Sequence, residues 1–203
     1  MPKLTRKKRI DRPPSPALAA AFELHRQGRL DEAEVGYRDV LKDDPANWQG
    51  LHQLGEIHLA RGQYVEALQF LGAAMKANPA SPEAASNYGF VLRHLKRDDE
   101  AIAYFDRALI LRPGYVPALL TRGASLQRLG RREEALKSLD RAIELEPKNA
   151  KAHNNRANVL HELKRFDEAL NSFGHALAAD PGYADAHFNE GMTRLLIGDF
   201  LAG

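Results

Sequence analysis

The side chains able to do chemistry in these 203 residues are eight histidines, several paired carboxylates and a series of side-chain amides. A metal site needs imidazoles or carboxylates converging on one ion at about 2.0–2.2 Å. His52 and His58, the closest histidine pair, stand six apart and would point in different directions on one helix. His153 and His187 are 34 apart, which would set them on neighbouring equivalent elements. Two imidazoles without a third ligand read as packing or surface groups, so no metal site is expected. The pairs Asp31-Glu32, Glu133-Glu134 and Asp167-Glu168 recur at helix starts, where negative charge is favoured by the dipole, so they read as end charges and not as an acid-base pair. Glycines recur with a fixed period and never as a phosphate-binding fingerprint. Neither catalytic residues nor a cofactor are expected.

The amides remain. Gln53, Asn87, Thr121, Asn155 and Asn189 follow one another every 34 residues, all polar and three of them asparagine. Asparagine costs a helix roughly 0.6 kcal/mol relative to alanine, so its recurrence calls for a compensating contact. A column of amides, each with donor and acceptor, can hold the backbone of an extended peptide whatever its sequence. The competing reading is that these amides bond neighbouring repeats within the fold. Asn154 and Asn158 flank Asn155, while His52, Arg93 and His161 would add donors along the same face.

The elements that position these groups follow from the period. Pro45, Pro79, Pro113, Pro147 and Pro181 are each 34 residues apart. In the same register stand Ala33, Ala67, Ala101, Ala135 and Ala169, and a second small series, Ala21, Gly55, Gly89, Gly123, Ala157 and Gly191. A third is Val40, Ala74, Ala108, Ala142 and Ala176. Two helices approach within about 8 Å only where neither carries bulk at the crossing, so each repeat predicts a helical hairpin. Large apolar residues at helical spacing surround the crossing, as with Leu92, Leu95, Ile102 and Phe105, or Leu160, Leu163, Leu170 and Phe173. Gly28, Gly62, Gly130 and Gly198 suit the left-handed residue that ends the first helix. Lys96 and Lys164 replace glycine there, at a cost of roughly 1 kcal/mol each if the geometry is kept.

With these series in place, the chain resembles the tetratricopeptide repeat family. The resemblance implies an all-α fold, an α-solenoid of stacked antiparallel helix pairs winding into a right-handed superhelix with a concave groove. Five full repeats are expected at 14–47, 48–81, 82–115, 116–149 and 150–183, with the first helix of a sixth at 184–203; the first is degenerate, with Ala17 and Ala20 where larger residues are usual. The first helices would line the groove, placing Gln53, Asn87, Thr121, Asn155 and Asn189 at their sixth positions. This series is similar to the asparagine ladder in protein O-GlcNAc transferases. Modules that grip chaperone C-termini place lysines, asparagines and an arginine where this chain has Ser86, Phe90, Thr121, Lys151 and Asn155; only Lys151 fits, which argues against that clamp. The closing "HFNEGMTRLLIGDF" resembles the last repeat of bacterial tetratricopeptide proteins followed by a glycosyltransferase-like domain.

Composition agrees with a globular array: 44% hydrophobic, 28% charged and without cysteine, which fits a reducing compartment, the cytoplasm by default. Neither a membrane span nor a secretory leader is expected, since no apolar run is long enough and the opening MPKLTRKKRI leads into DRPPSP. The net charge of +2 divides into +5 over the first twelve residues and −3 over the rest. Residues 1–13 therefore read as a flexible basic tail, and the lack of interleaved aromatics argues against nucleic acid. The expected partner is a protein or peptide. Leu195, Leu196, Ile197 and Phe200 would be left uncovered on the last helix, so self-association through it, or a further domain beyond it, are the other readings.

Overall fold

The computed structural model describes residues 15–198; the basic segment 1–13 and Phe200 lie outside the described residues. Among the described residues there are eleven helices and no strand. They are α1 Pro16–Arg26, α2 Leu30–Asp43, α3 Trp48–Ala60, α4 Tyr64–Ala77, α5 Pro82–His94, α6 Asp98–Leu111, α7 Val116–Arg128, α8 Arg132–Leu145, α9 Ala150–Glu162, α10 Phe166–Ala179 and α11 Ala184–Leu196. They fall into two compact units, the first ending at Leu95 and the second beginning at Lys96.

Four of the six described first helices carry a side-chain cap. Ser15, Asn47, Ser81 and Asn149 cap α1, α3, α5 and α9, their side-chain oxygens accepting from Leu18, Gly50, Ala84 and Ala152 N–H. All five described second helices lack a side-chain cap, and four of them begin with an arginine fork: Arg29 on Glu32, Arg97 on Glu100, Arg131 on Glu134 and Arg165 on Glu168. The hydrogen bond from each arginine holds its glutamate below the usual carboxylate range. Between helices the chain turns through the left-handed region at Gly28, Gly62, Gly130 and Gly198, and Lys96 and Lys164 adopt it too, with φ of 63° and 61°.

In the first unit, Leu18, Ala21, Ala33, Tyr37, Val40, Leu54 and Ile57 form one buried cluster and Ala67, Leu71 and Val91 another. In the second, Leu126, Leu136, Leu139, Leu160 and Phe173 close around Ala135, Ala157, Ala169 and Ala176. Two helix crossings leave no room for a side chain: a Cβ on Gly55 would lie 2.6 Å from Leu71 Cγ, and one on Gly123 would lie 2.8 Å from Leu139 Cγ. A Cβ on Gly191, the same register position on α11, would meet nothing within 4 Å. No described helix is long and apolar enough to cross a membrane.

Candidate functional site

In the first unit the neighbouring first helices α3 and α5 are tied by their predicted polar residues. Asn87 Nδ2 on α5 donates to Glu56 Oε1 on α3 at 2.9 Å and lies 3.2 Å from His52 Nε2. Glu56 is an acceptor only, which fixes the amide nitrogen of Asn87 on that side and makes His52 Nε2 an acceptor as well. The His52 proton therefore resides on Nδ1, 3.3 Å from the Gln53 amide nitrogen, so that amide accepts from the ring only after turning its oxygen toward it. His52 is buried, and burial pushes its pKa below the ordinary histidine value against the opposing charges of Glu56 and Glu83. Arg93 is half-buried in the last turn of α5.

In the second unit the predicted residues divide. Thr121 donates its hydroxyl to the Pro117 carbonyl of its own helix at 2.7 Å. Asn154 is 4% exposed and hydrogen-bonds Tyr183, whose phenol is pushed up chiefly by burial; it is a packing residue tying α9 to the turn before α11. Asn155, Asn158 and Asn189 are half-buried on α9 and α11, helices that touch, and among the described residues their side chains make no hydrogen bond. Thr193 donates to the Asn189 carbonyl at 2.8 Å, so its hydroxyl can only accept from His161, whose Nδ1 lies 2.9 Å away. That bond turns His161 Nε2 outward as an acceptor.

The 34-residue separation of His153 and His187 has a structural cause. Each ring donates from Nε2 to the proline carbonyl six residues earlier, Pro147 at 2.8 Å and Pro181 at 2.9 Å. Among the described residues no three metal-ligating side chains converge.

Sequence reasoning missed a repeated clamp in the second unit. Arg122 Nε donates to Asp106 and Nη1 to Ser138, and Arg156 does the same to Asp140 and Ser172, all four bonds at 2.6 Å. The signal was available, because Arg122/Arg156, Asp106/Asp140 and Ser138/Ser172 are each one period apart. At the next register positions stand Glu190 and Gly174, so arginine and aspartate are lost together, and Glu190 instead accepts from Arg194 at 2.8 Å. The missed residue of the α3–α5 network is Glu56, four residues after His52. On α11 and at the Ile197 that follows it, Phe188, Met192, Leu195, Leu196 and Ile197 are exposed, Phe188 to 69%.

Models of the tetratricopeptide repeat match residues 24–87, 58–122 and 120–184. The crystal structure of PilW, a widely conserved type IV pilus biogenesis factor, superposes with a TM-score of 0.83 at 25% identity, covering 91% of this chain and 86% of that one. YrrB, a TPR protein with an unusual peptide-binding site, gives a TM-score of 0.73 at 22% identity, over 93% of this chain and 98% of that one; at that identity the likeness shows the fold. Over 68 residues, 34% of its length, the chain is 37% identical to protein O-mannosyl-transferase Tmtc3 of Drosophila melanogaster, of which it spans 7%. Helix pairs repeating every 34 residues, small residues at their crossings and matches running from 24 to 184 agree: the chain belongs to the tetratricopeptide repeat family, an all-α solenoid of repeated helix pairs.

Proposed function

We propose that this protein is a non-catalytic interaction scaffold whose first helices hold an extended segment of a partner protein. One observation carries the reading. Asn155, Asn158 and Asn189 lie on the touching helices α9 and α11 with their amides uncommitted, and half-buried asparagines in helices are a cost unless a ligand uses them. Amides bind backbone, so affinity would come from main-chain hydrogen bonds. In the first unit Asn87 offers only its oxygen, since its nitrogen serves Glu56 and His52.

The test uses peptides selected from a random library on the immobilised protein, with affinities measured by calorimetry. Each of Asn155→Ala, Asn158→Ala and Asn189→Ala should lower affinity about 2- to 10-fold, the worth of one hydrogen bond, with helix content unchanged. Equal affinity for all three variants would remove the groove reading. A second reading, favoured by the stretch shared with Tmtc3, is that the array presents substrates to a glycosyltransferase. The exposed apolar side chains of α11 favour a third, self-association; a mass independent of concentration in sedimentation would count against it.

A further inference from the structure

We propose that the Asn87 amide is a reversible element: with neutral His52 it presents its oxygen outward, and when His52 gains a second proton it turns over and presents its nitrogen. The chemistry is that of donors and acceptors around one ring. Neutral His52 accepts at Nε2 from Asn87 Nδ2, 3.2 Å away, while the other hydrogen of that amide goes to Glu56 Oε1 at 2.9 Å. The oxygen of Asn87 has no partner among the described residues and is the group left facing out.

A second proton on His52 enters at Nε2, the only lone pair the ring has. Two N–H groups then confront each other across 3.2 Å, and the arrangement fails. Rotation of the amide by about 180° repairs it, because Asn87 Oδ1 then accepts from Nε2–H. Asn87 Oδ1 then stands where Nδ2 stood, 2.9 Å from Glu56 Oε1, so the carboxylate must swing away from it toward the cation, its Oε2 starting 3.9 Å from Nδ1. The outward group changes from one acceptor to two donors. The charged groups bearing on the ring are Glu56 of its own helix and Glu83 of α5; neither α2 nor α4 adds one among the described residues. Burial keeps the ring neutral to lower pH than an ordinary histidine, so the amide turns only below the ordinary histidine range.

The measurement needs no bound partner and so stands apart from the groove reading. In 15N-labelled protein, long-range imidazole spectra give the His52 tautomer, and the Asn87 side-chain NH2 pair is followed from pH 7.5 downward. The expected result is the Nδ1–H tautomer at neutral pH, and an Asn87 shift sharing the His52 midpoint, below the ordinary value of about 6.5. In His52→Gln the Asn87 pair should not move over the same range. A neutral ring protonated at Nε2, or a His52 titration that leaves Asn87 unmoved in the wild-type protein, would overturn the proposal without any variant.

Discussion

Replacing Lys164 with glycine should stabilise the second unit. The lysine ends α9 with φ of 61°, its N–H donating to the His161 carbonyl and that of Arg165 to the Leu160 carbonyl, each at 2.9 Å. Gly130 closes α7 with φ of 74° and the same pair of bonds, from Gly130 to Gln127 and from Arg131 to Leu126. Crowding does not explain glycine at this turn: a Cβ on Gly28 or Gly62 would meet nothing within 4 Å, and one on Gly130 only Arg132 Nη1 at 3.7 Å. The cost of lysine is therefore the strain between its own Cβ and backbone, about 1–2 kcal/mol. Glycine removes that strain but orders a freer unfolded chain, which takes back about 0.5–1 kcal/mol. The net gain is about 0.5–1 kcal/mol. With a urea slope of about 2 kcal/mol/M, the midpoint of helix loss in circular dichroism rises by about 0.25–0.5 M. Lys164→Ala keeps the Cβ while deleting the charge, and should gain nothing. If alanine stabilised as much as glycine, the effect would be electrostatic and the backbone argument would fail.

Four further outcomes are expected. Gly123→Ala should cost about 1–3 kcal/mol because its Cβ would press on Leu139, whereas Gly191→Ala, in open space, should gain up to about 1 kcal/mol; urea midpoints compare them. Arg156→Met strips Ser172, 1% exposed, of its donor, and should destabilise by about 1–3 kcal/mol, part of which Ser172→Ala recovers in the double variant. Since burial lowers the His52 pKa in the fold, the unfolded chain takes up its proton first as pH falls. Stability is then full above about 6.5 and declines below it, to the folded midpoint; His52→Gln should remove that part of the slope in urea midpoints measured from pH 7.5 to 5.

The helical pairs were legible because packing constraints repeat: a proline every 34 residues and small residues at each crossing leave one kind of hairpin. The left-handed lysines were legible for the same reason, a register position whose backbone need outlasts the residue type. The candidate site was legible only as a face. Asn154 and Asn155 are adjacent in sequence, yet one helical step of about 100° takes the first into the packing against Tyr183 and leaves the second half-buried with its amide uncommitted. Period alone cannot show that difference. The bonds of His153 and His187 depend on where a turn aims a proline carbonyl, and the commitment of Asn87 depends on Glu56 and His52 reaching across from α3. The Arg122 and Arg156 clamps were missed although their period was visible, because charged residues on helices are ordinarily solvated and attract no structural reading.

The central claim is that first-helix faces grip a peptide, and contact mapping tests it most directly. A photo-crosslinking amino acid would be placed at Asn155 or Asn158 on α9, or at exposed Lys137 on the second helix α8, and irradiated with a selected peptide. Peptide adducts are expected at Asn155 and Asn158 and none at Lys137. Adducts at Lys137 with both asparagine positions silent would contradict it.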